Sequence, residues 1–315
     1  MHLHGPSTGP RLWISAGLTG AFVVLELAVG WWANSLALVS DAGHNLADAA
    51  ALVLSAWAFA LASRPADRTR SFGFHRAGVL VALVNAATLV LMALYIFYEG
   101  YRRLVEPEPV QSLPVITLAA VALALNMVVA FGLREAGRHD VNVRSALVHM
   151  LGDALASGGV LLAGVAVLLT GSPLWDPAVS LVIGGFIVWS SWGIIKETVG
   201  ILMEGTPDRV LVEELVRDVR AVPGVRDVHD LHVWSLASHL HALSAHLVLE
   251  DPGRATNGEL VAIVRRVKGM LAERHAIAHA TLETHCSDGD TDCLPCEIRP
   301  HSAHDHAHSH AGHRH

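Results

Sequence analysis

The chain has 315 residues, of which 52% are hydrophobic and only 16% charged, and its mean hydropathy is +0.42. A soluble domain carries about a quarter charged residues, so this balance excludes an ordinary soluble enzyme and implies an integral membrane protein. The formal net charge of −7 counts 21 histidines as neutral and therefore depends on pH near neutrality; nothing in it points to a nucleic-acid partner.

Residues 1–11, MHLHGPSTGPR, lack the apolar core and small-residue cleavage site of a secretory signal, so we expect a histidine-containing N-terminal tail here. A membrane-spanning helix needs about 20 mainly apolar residues. Six segments satisfy that: 12–33, 36–62, 77–104, 111–134, 145–170 and 175–202. An even number places both termini on one side. The loop at 63–76 holds Arg64, Arg68, Arg70 and Arg76, and the loop at 134–144 holds Arg134, Arg138 and Arg144, whereas the connections near 34 and 171–174 hold no Lys or Arg. The positive-inside rule then makes the Arg-bearing loops and both termini cytosolic. Arg102 and Arg103 dissent, beside Glu99, Glu106 and Glu108, and read as interfacial anchors. Gly158, Gly159, Gly164, Gly184 and Gly185 read as close-packing positions between membrane helices.

Ionisable residues at membrane depth are costly and mark sites or pathways. Residues i and i+4 share a helix face. His44 and Asp48 have that spacing in the second segment, with Asp41 one turn earlier; His149 and Asp153 repeat it in the fifth, with Ser157 one turn further. Facing each other, the two pairs supply two nitrogens and two carboxylate oxygens, a tetrahedral set that zinc accepts. Cobalt, nickel, iron and manganese also suit such donors, while the lack of thiolates disfavours monovalent copper. A buried His–Asp hydrogen bond explains one such pair; two pairs in separate membrane helices are hard to desolvate without an ion. No HExxH motif occurs, and four protein ligands leave no open position for a catalytic water, so we expect a carried ion and no enzyme. Asp41 and Asn45 either line the entrance to this site or form a polar helix cap.

After about residue 202 the charged residues concentrate. Residues 205–286 read as helix, strand, strand, helix, strand: Leu211, Leu215, Val219 and Val222, and later Leu260, Ile263, Val264, Val267 and Leu271, recur at helical spacing. ALSAHLVLE alternates, turning Leu243, Ala245, Leu247 and Leu249 to one face and His246 to the other. IAHATLETH follows as the third strand. The predicted class is thus a six-helix transmembrane bundle over 12–204 joined to a small αββαβ α+β domain. The only cysteines, Cys286, Cys293 and Cys296, are too few and clustered for a disulfide framework and fit metal binding or a reducing compartment. Residues 287–315, ending HSAHDHAHSHAGHRH, are too polar to pack and read as a disordered, metal-collecting tail.

SLALVSDAGHNLADAAAL, SFGFHRAGVLVALVNA, VNVRSALVHMLGDALASGGVL, LMEGTPD and HDLHVWSL, in that order, resemble the cation diffusion facilitator family in its zinc-transporting branch. The resemblance implies a homodimer embedded in lipid, with six transmembrane helices and a cytosolic metallochaperone-like domain in each protomer. It also implies export of Zn2+ from the cytosol by alternating access, in exchange for H+. His44, Asp48, His149 and Asp153 match the family's transport site, with a histidine leading the first pair as in zinc-selective members. Exporters centred on cobalt, nickel, iron or cadmium, and a membrane-anchored metal sensor, remain the alternatives. His229, His246 and His285 fall where relatives bind cytosolic metal, with His232 and His279 nearby and Cys293 and Cys296 resembling an added tail motif; such zinc would be regulatory. Arg68 and Arg70 stand where a further loop site would have ligands, so that site is expected to be absent. Arg76 resembles the basic member of a charge interlock whose partner is Glu204 or Asp208, although Gly78 stands where the family commonly has a glutamate. The Ala- and Arg-rich composition leans to a bacterial cytoplasmic membrane.

Overall fold

The computed structural model of the chain describes residues 8–135, 141–208, 210–250 and 256–285, without the side chains of 8–19, 141, 142, 145 and 285. The expected ligands Cys293 and Cys296, Cys286, and both histidine-bearing tails lie outside the described residues. The chain divides into two compact units, the first ending at Val199 and the second beginning at Gly200.

The first unit is helical. Its elements are α1 (Thr8–Trp32), α2 (Leu36–Ala62), α3 (Ala77–Val105), α4 (Ser112–Leu133), α5 (Val141–Thr170) and α6 (Trp175–Leu202), the last running a few residues past the division. Among the described residues, five helices, α2 to α6, are long and apolar enough to cross a membrane; the described apolar stretch of α1, Gly20–Trp32, is shorter. Many of their large apolar side chains, such as Leu52, Trp57, Phe59, Leu91 and Trp189, lie exposed, as expected of surfaces that meet lipid rather than water. The buried seam instead uses small residues: Ala33, Ala37, Ala93 and Ala119 pack with Leu38, Ile96, Val160 and Ile187. Gly164 marks the close approach of α5 to α4, where an added Cβ would stand 2.9 Å from Ile116 Cγ1.

Two polar devices hold the start of α2. Ser35 is its N-cap, accepting a hydrogen bond from the Leu38 N–H and donating its hydroxyl to Asp176 of α6. The same carboxylate accepts the Leu36 N–H at 2.7 Å, placing negative charge on the positive end of the helix. The preceding residue, Asn34, turns the chain with a left-handed φ of 52°. Arg103 donates to the Asn34 backbone carbonyl at 2.7 Å, to its side-chain oxygen at 2.8 Å and to Glu99 at 2.8 Å, while Arg102 bridges Glu99 and Glu108, each at 2.7 Å. Arg102 and Arg103, which dissent from the positive-inside pattern, are therefore committed to carboxylates and to the α1–α2 turn. Hydrogen bonds from Asn34 and then Arg102 hold the Glu108 carboxyl below the usual carboxylate range.

The second unit holds α7 (Val212–Arg220), β1 (Val225–Ala237), β2 (Leu240–Leu249), α8 (Asn257–His275) and β3 (Ile277–His285). The strands form one sheet in the order β1-β2-β3, with β1 antiparallel and β3 parallel to β2. Alternation sends Val228, Val233, Leu243, Ala245 and Leu247 into a core with Leu215 and Val219 of α7 and Ile263, Val267 and Leu271 of α8. Gly224 enters β1 with φ 94°, and a Cβ there would lie 2.7 Å from Ile263, so the tight α7–β1 connection requires glycine. Thr256 and Glu259 close a capping box on α8.

The clamp at the α1–α2 turn makes a stability prediction. Arg103→Ala removes a mostly buried cation and leaves Glu99 and Asn34 under-partnered, which should cost about 3 kcal/mol. Exposed Arg134→Ala should change stability by less than about 0.5 kcal/mol. Thermal unfolding of the full chain in detergent checks the difference.

Candidate metal centre

Helices α2 and α5 pack against each other and supply the four residues with paired His-x-x-x-Asp spacing. The pairs meet in antiparallel register. His44 Nε2 lies 3.6 Å from Asp48 Oδ2 and 3.8 Å from Asp153 Oδ1, and His149 Nε2 lies 3.3 Å from Asp48 Oδ2 and 3.6 Å from Asp153 Oδ2. One turn further, Ser157 donates to Asp41 at 2.9 Å. Positions thus ascend along α2 as they descend along α5. The two imidazole rings stand edge-to-face with centroids 6.4 Å apart.

These distances can be compared with what an ion requires. Donors about 2.0–2.2 Å from a tetrahedral zinc stand roughly 3.3–3.6 Å from one another. The four imidazole–carboxylate separations, 3.3 to 3.8 Å, fall near that range, with Asp153 meeting His44 through Oδ1 and His149 through Oδ2. Asp48 Oδ2 is buried and makes no hydrogen bond although it lies 3.6 Å from His44 Nε2 and 3.3 Å from His149 Nε2. Among the described residues, the one group of three whose ligand atoms all lie within 4.8 Å of one another is His44, Asp48 and Asp153. His149 lies outside that group of three but 3.3 Å from Asp48 and 3.6 Å from Asp153, on the open side, its side chain 48% exposed against 7% for Asp153. The arrangement therefore has a closed floor at Asp153 and one accessible imidazole, that of His149.

The remaining expected residues fall in several places. Asp41 is buried and bonded to Ser157, six residues beyond the Ser35 N-cap, so the helix-cap alternative for Asp41 and Asn45 does not hold. Asn45 reaches Glu26 of α1 at 3.5 Å. Arg76 immediately precedes α3, whereas Glu204, with φ 59°, and Asp208 belong to the second unit. In the α2–α3 loop, hydrogen bonds from Thr69 and the Arg70 N–H hold the Asp67 carboxyl below its usual range, and Arg70 stacks over Phe74 at 4.8 Å.

In the second unit His229 and His246 are cross-strand partners with ring centroids 5.2 Å apart. His246 Nε2 lies 3.5 Å from Asp230 and 3.6 Å from Glu283; His232 Nε2 lies 3.0 Å from Asp230. Asp230 has φ 49° at the irregularity between His229 and His232, and that bulge aims its carboxylate between two imidazoles. His279 pairs with Ala242, four positions from Glu283 on β3, roughly 13 Å along the strand from the His229–His246 pair. His285 lies opposite Val248 in the register. Sequence reasoning missed Asp230, Glu283, Glu26 and Asp176. Only Glu26 carried a readable signal, a lone acid in the apolar run AFVVLELAVG.

Two family models match the chain: the cation efflux transmembrane domain over residues 12–203 and the cytoplasmic domain of cation efflux proteins over 207–284. A Bacillus subtilis (strain 168) protein named as a cadmium, cobalt and zinc/H(+)-K(+) antiporter is 34% identical over 312 residues, covering 98% of this chain and 99% of its own. The zinc transporter ZitB of Pectobacterium atrosepticum is 35% identical over 301 residues, covering 92% and 90%. Among solved structures, the metal-bound C-terminal domain of the CzcD transporter of Cupriavidus metallidurans aligns at 34% identity and TM-score 0.22, over 24% of this chain and all of that one.

Replacing Asp153 by Asn keeps its volume but removes the charge at the buried floor of the site. Zinc affinity of the purified full chain should then fall by at least roughly tenfold, the scale on which even an outer partner of a metal ligand matters. Equilibrium titration with a competing chelator measures it.

Proposed function

The chain belongs to the cation efflux, or cation diffusion facilitator, family, and on that premise we propose that it is a zinc/proton antiporter that moves Zn2+ out of the cytosol. The observation that carries this reading is the meeting of His44, Asp48, His149 and Asp153 from two apolar helices, each imidazole Nε2 standing 3.3 to 3.8 Å from an oxygen of both carboxylates. Zinc is the substrate, and these four side chains are its transport ligands.

Coupling follows from the donors. Zinc binds deprotonated imidazole and carboxylate, so protons and metal compete for the same lone pairs. Facing the cytosol, the deprotonated quartet takes zinc through the His149 side. Rocking of the helices opens it to the other side, where protons displace the ion, and the protonated site returns. Neutralisation by either occupant lowers the cost of holding two carboxylates at membrane depth. The proposed setting is a bacterial cytoplasmic membrane, with α1 as a sixth span, both termini cytosolic and the chain acting as a homodimer. The histidine–carboxylate face of the second unit would add a regulatory metal site. A pure sensor is the weaker reading because it needs no ligands between membrane helices. Cadmium and cobalt, which the Bacillus relative's name includes, are competitors to be tested in the same assay.

The experiment is zinc flux in proteoliposomes with and without an imposed pH gradient. The native chain should show flux driven by the gradient, and Asp48→Ala should show only leak. Zinc binding without flux in the native chain would favour the sensor, and greater flux of cadmium or cobalt at equal concentration would replace zinc as the principal substrate.

A further inference from the structure

Beside the quartet lies a second polar group that zinc binding does not use. Glu26 of α1 is 0% exposed and Asp41 of α2 is 1% exposed. In each carboxylate one oxygen, Glu26 Oε1 and Asp41 Oδ1, is buried without a hydrogen-bond partner. The other oxygen receives a neutral donor only: Asn45 Nδ2 reaches Glu26 Oε2 at 3.5 Å, and Ser157 Oγ reaches Asp41 Oδ2 at 2.9 Å. Asp41 and Asn45 are one turn apart on α2 and share a face.

Among the described side chains, no salt bridge joins either acid to a cation. Among described side chains, α1 contributes no charge but Glu26, and α4 contributes no titratable group. On α3, Glu99, Arg102 and Arg103 pair with one another and with Glu108. Asp176 of α6 is engaged at the start of α2, and Lys196 and Glu197 lie toward the other end of α6; α5 brings Arg144 near its start and His149 and Asp153 of the quartet, and α2 itself brings His44 and Asp48. Two desolvated carboxylates without a counter-ion cannot both remain ionised. The available donors are oxygens and an amide, with no imidazole or thiol, which is the chemistry of a bound proton rather than of zinc.

The position is also directional. Asp41 and Ser157 lie one turn from the quartet toward the α1–α2 connection, away from the Arg-bearing α2–α3 loop. We propose that Glu26 and Asp41 form a proton-holding pair on the release side of the metal site, storing the proton that displaces the metal. This rests on the antiport reading above for its direction. When the quartet opens outward, an O–H bond of the pair breaks and an N–H or O–H bond forms on the quartet as zinc leaves. Water on that side then returns a proton to the pair.

Infrared spectroscopy of the full chain in liposomes at neutral pH, combined with zinc titration and flux, tests this. The native chain should show a protonated-carboxyl C=O band that is lost or shifted in both Glu26→Gln and Asp41→Asn. Both variants should retain native zinc affinity, because neither residue is a ligand, and should lose the stimulation of zinc flux by a pH gradient. Absence of the band, or its removal by added sodium or potassium, overturns the proposal. So does a fall in zinc affinity matching that of Asp153→Asn. A native band without any gradient-driven flux would leave the pair's protonation standing and sink the antiport reading; gradient-driven flux without the band would do the reverse.

Discussion

A carboxylate between apolar helices must meet a positive charge, a proton or a metal ion, because lipid and packed side chains offer nothing else to stabilise it. The first unit arranges its charges around that constraint. Glu99 meets Arg102 and Arg103. Asp176 meets the positive end of α2. Asp48 and Asp153 meet two imidazoles across the α2–α5 seam, at distances suited to a shared ion. Only the last solution is exchangeable, since a guanidinium or a helix end cannot leave, whereas an ion can.

The fixed pairs and the exchangeable one work together. α2 carries half of the quartet, and its N-terminus is held by Ser35, Asp176 and the Asn34–Arg103 clamp. Small residues along the buried seam let the helix backbones approach closely enough for short side chains to meet. The second unit separates its labour differently. One sheet face packs on α7 and α8, and the other presents histidines engaged with Asp230 and Glu283. The cation efflux family is thus represented here by two groupings of imidazole and carboxylate, one between apolar helices and one on the sheet of the second unit.

Much of this was legible in the sequence because it is local. The His44/Asp48 and His149/Asp153 pairs announce themselves by i,i+4 spacing, and the sheet face of His246 by alternation along ALSAHLVLE. What stayed hidden depends on tertiary placement or on backbone irregularity. Asp176 caps a helix that begins 140 positions earlier in the chain. Asp230 enters the histidine cluster only through a bulge with positive φ. The hold of Arg103 on Asn34, 69 positions earlier in the chain, shows only once α3 stands beside the α1–α2 turn. His279 has the right residue type in the right strand, but the parallel register sets it opposite Ala242.

The central claim is that one zinc ion sits among two imidazoles and two carboxylates between α2 and α5. X-ray absorption spectroscopy of the full chain loaded with less than one zinc per chain tests it most directly. The account predicts four nitrogen and oxygen neighbours at about 2.0–2.1 Å, with the outer-shell scattering of two imidazoles and no sulfur. Sulfur neighbours, which would place the tightest zinc on Cys293 and Cys296, or a six-coordinate shell of water oxygens, would contradict it.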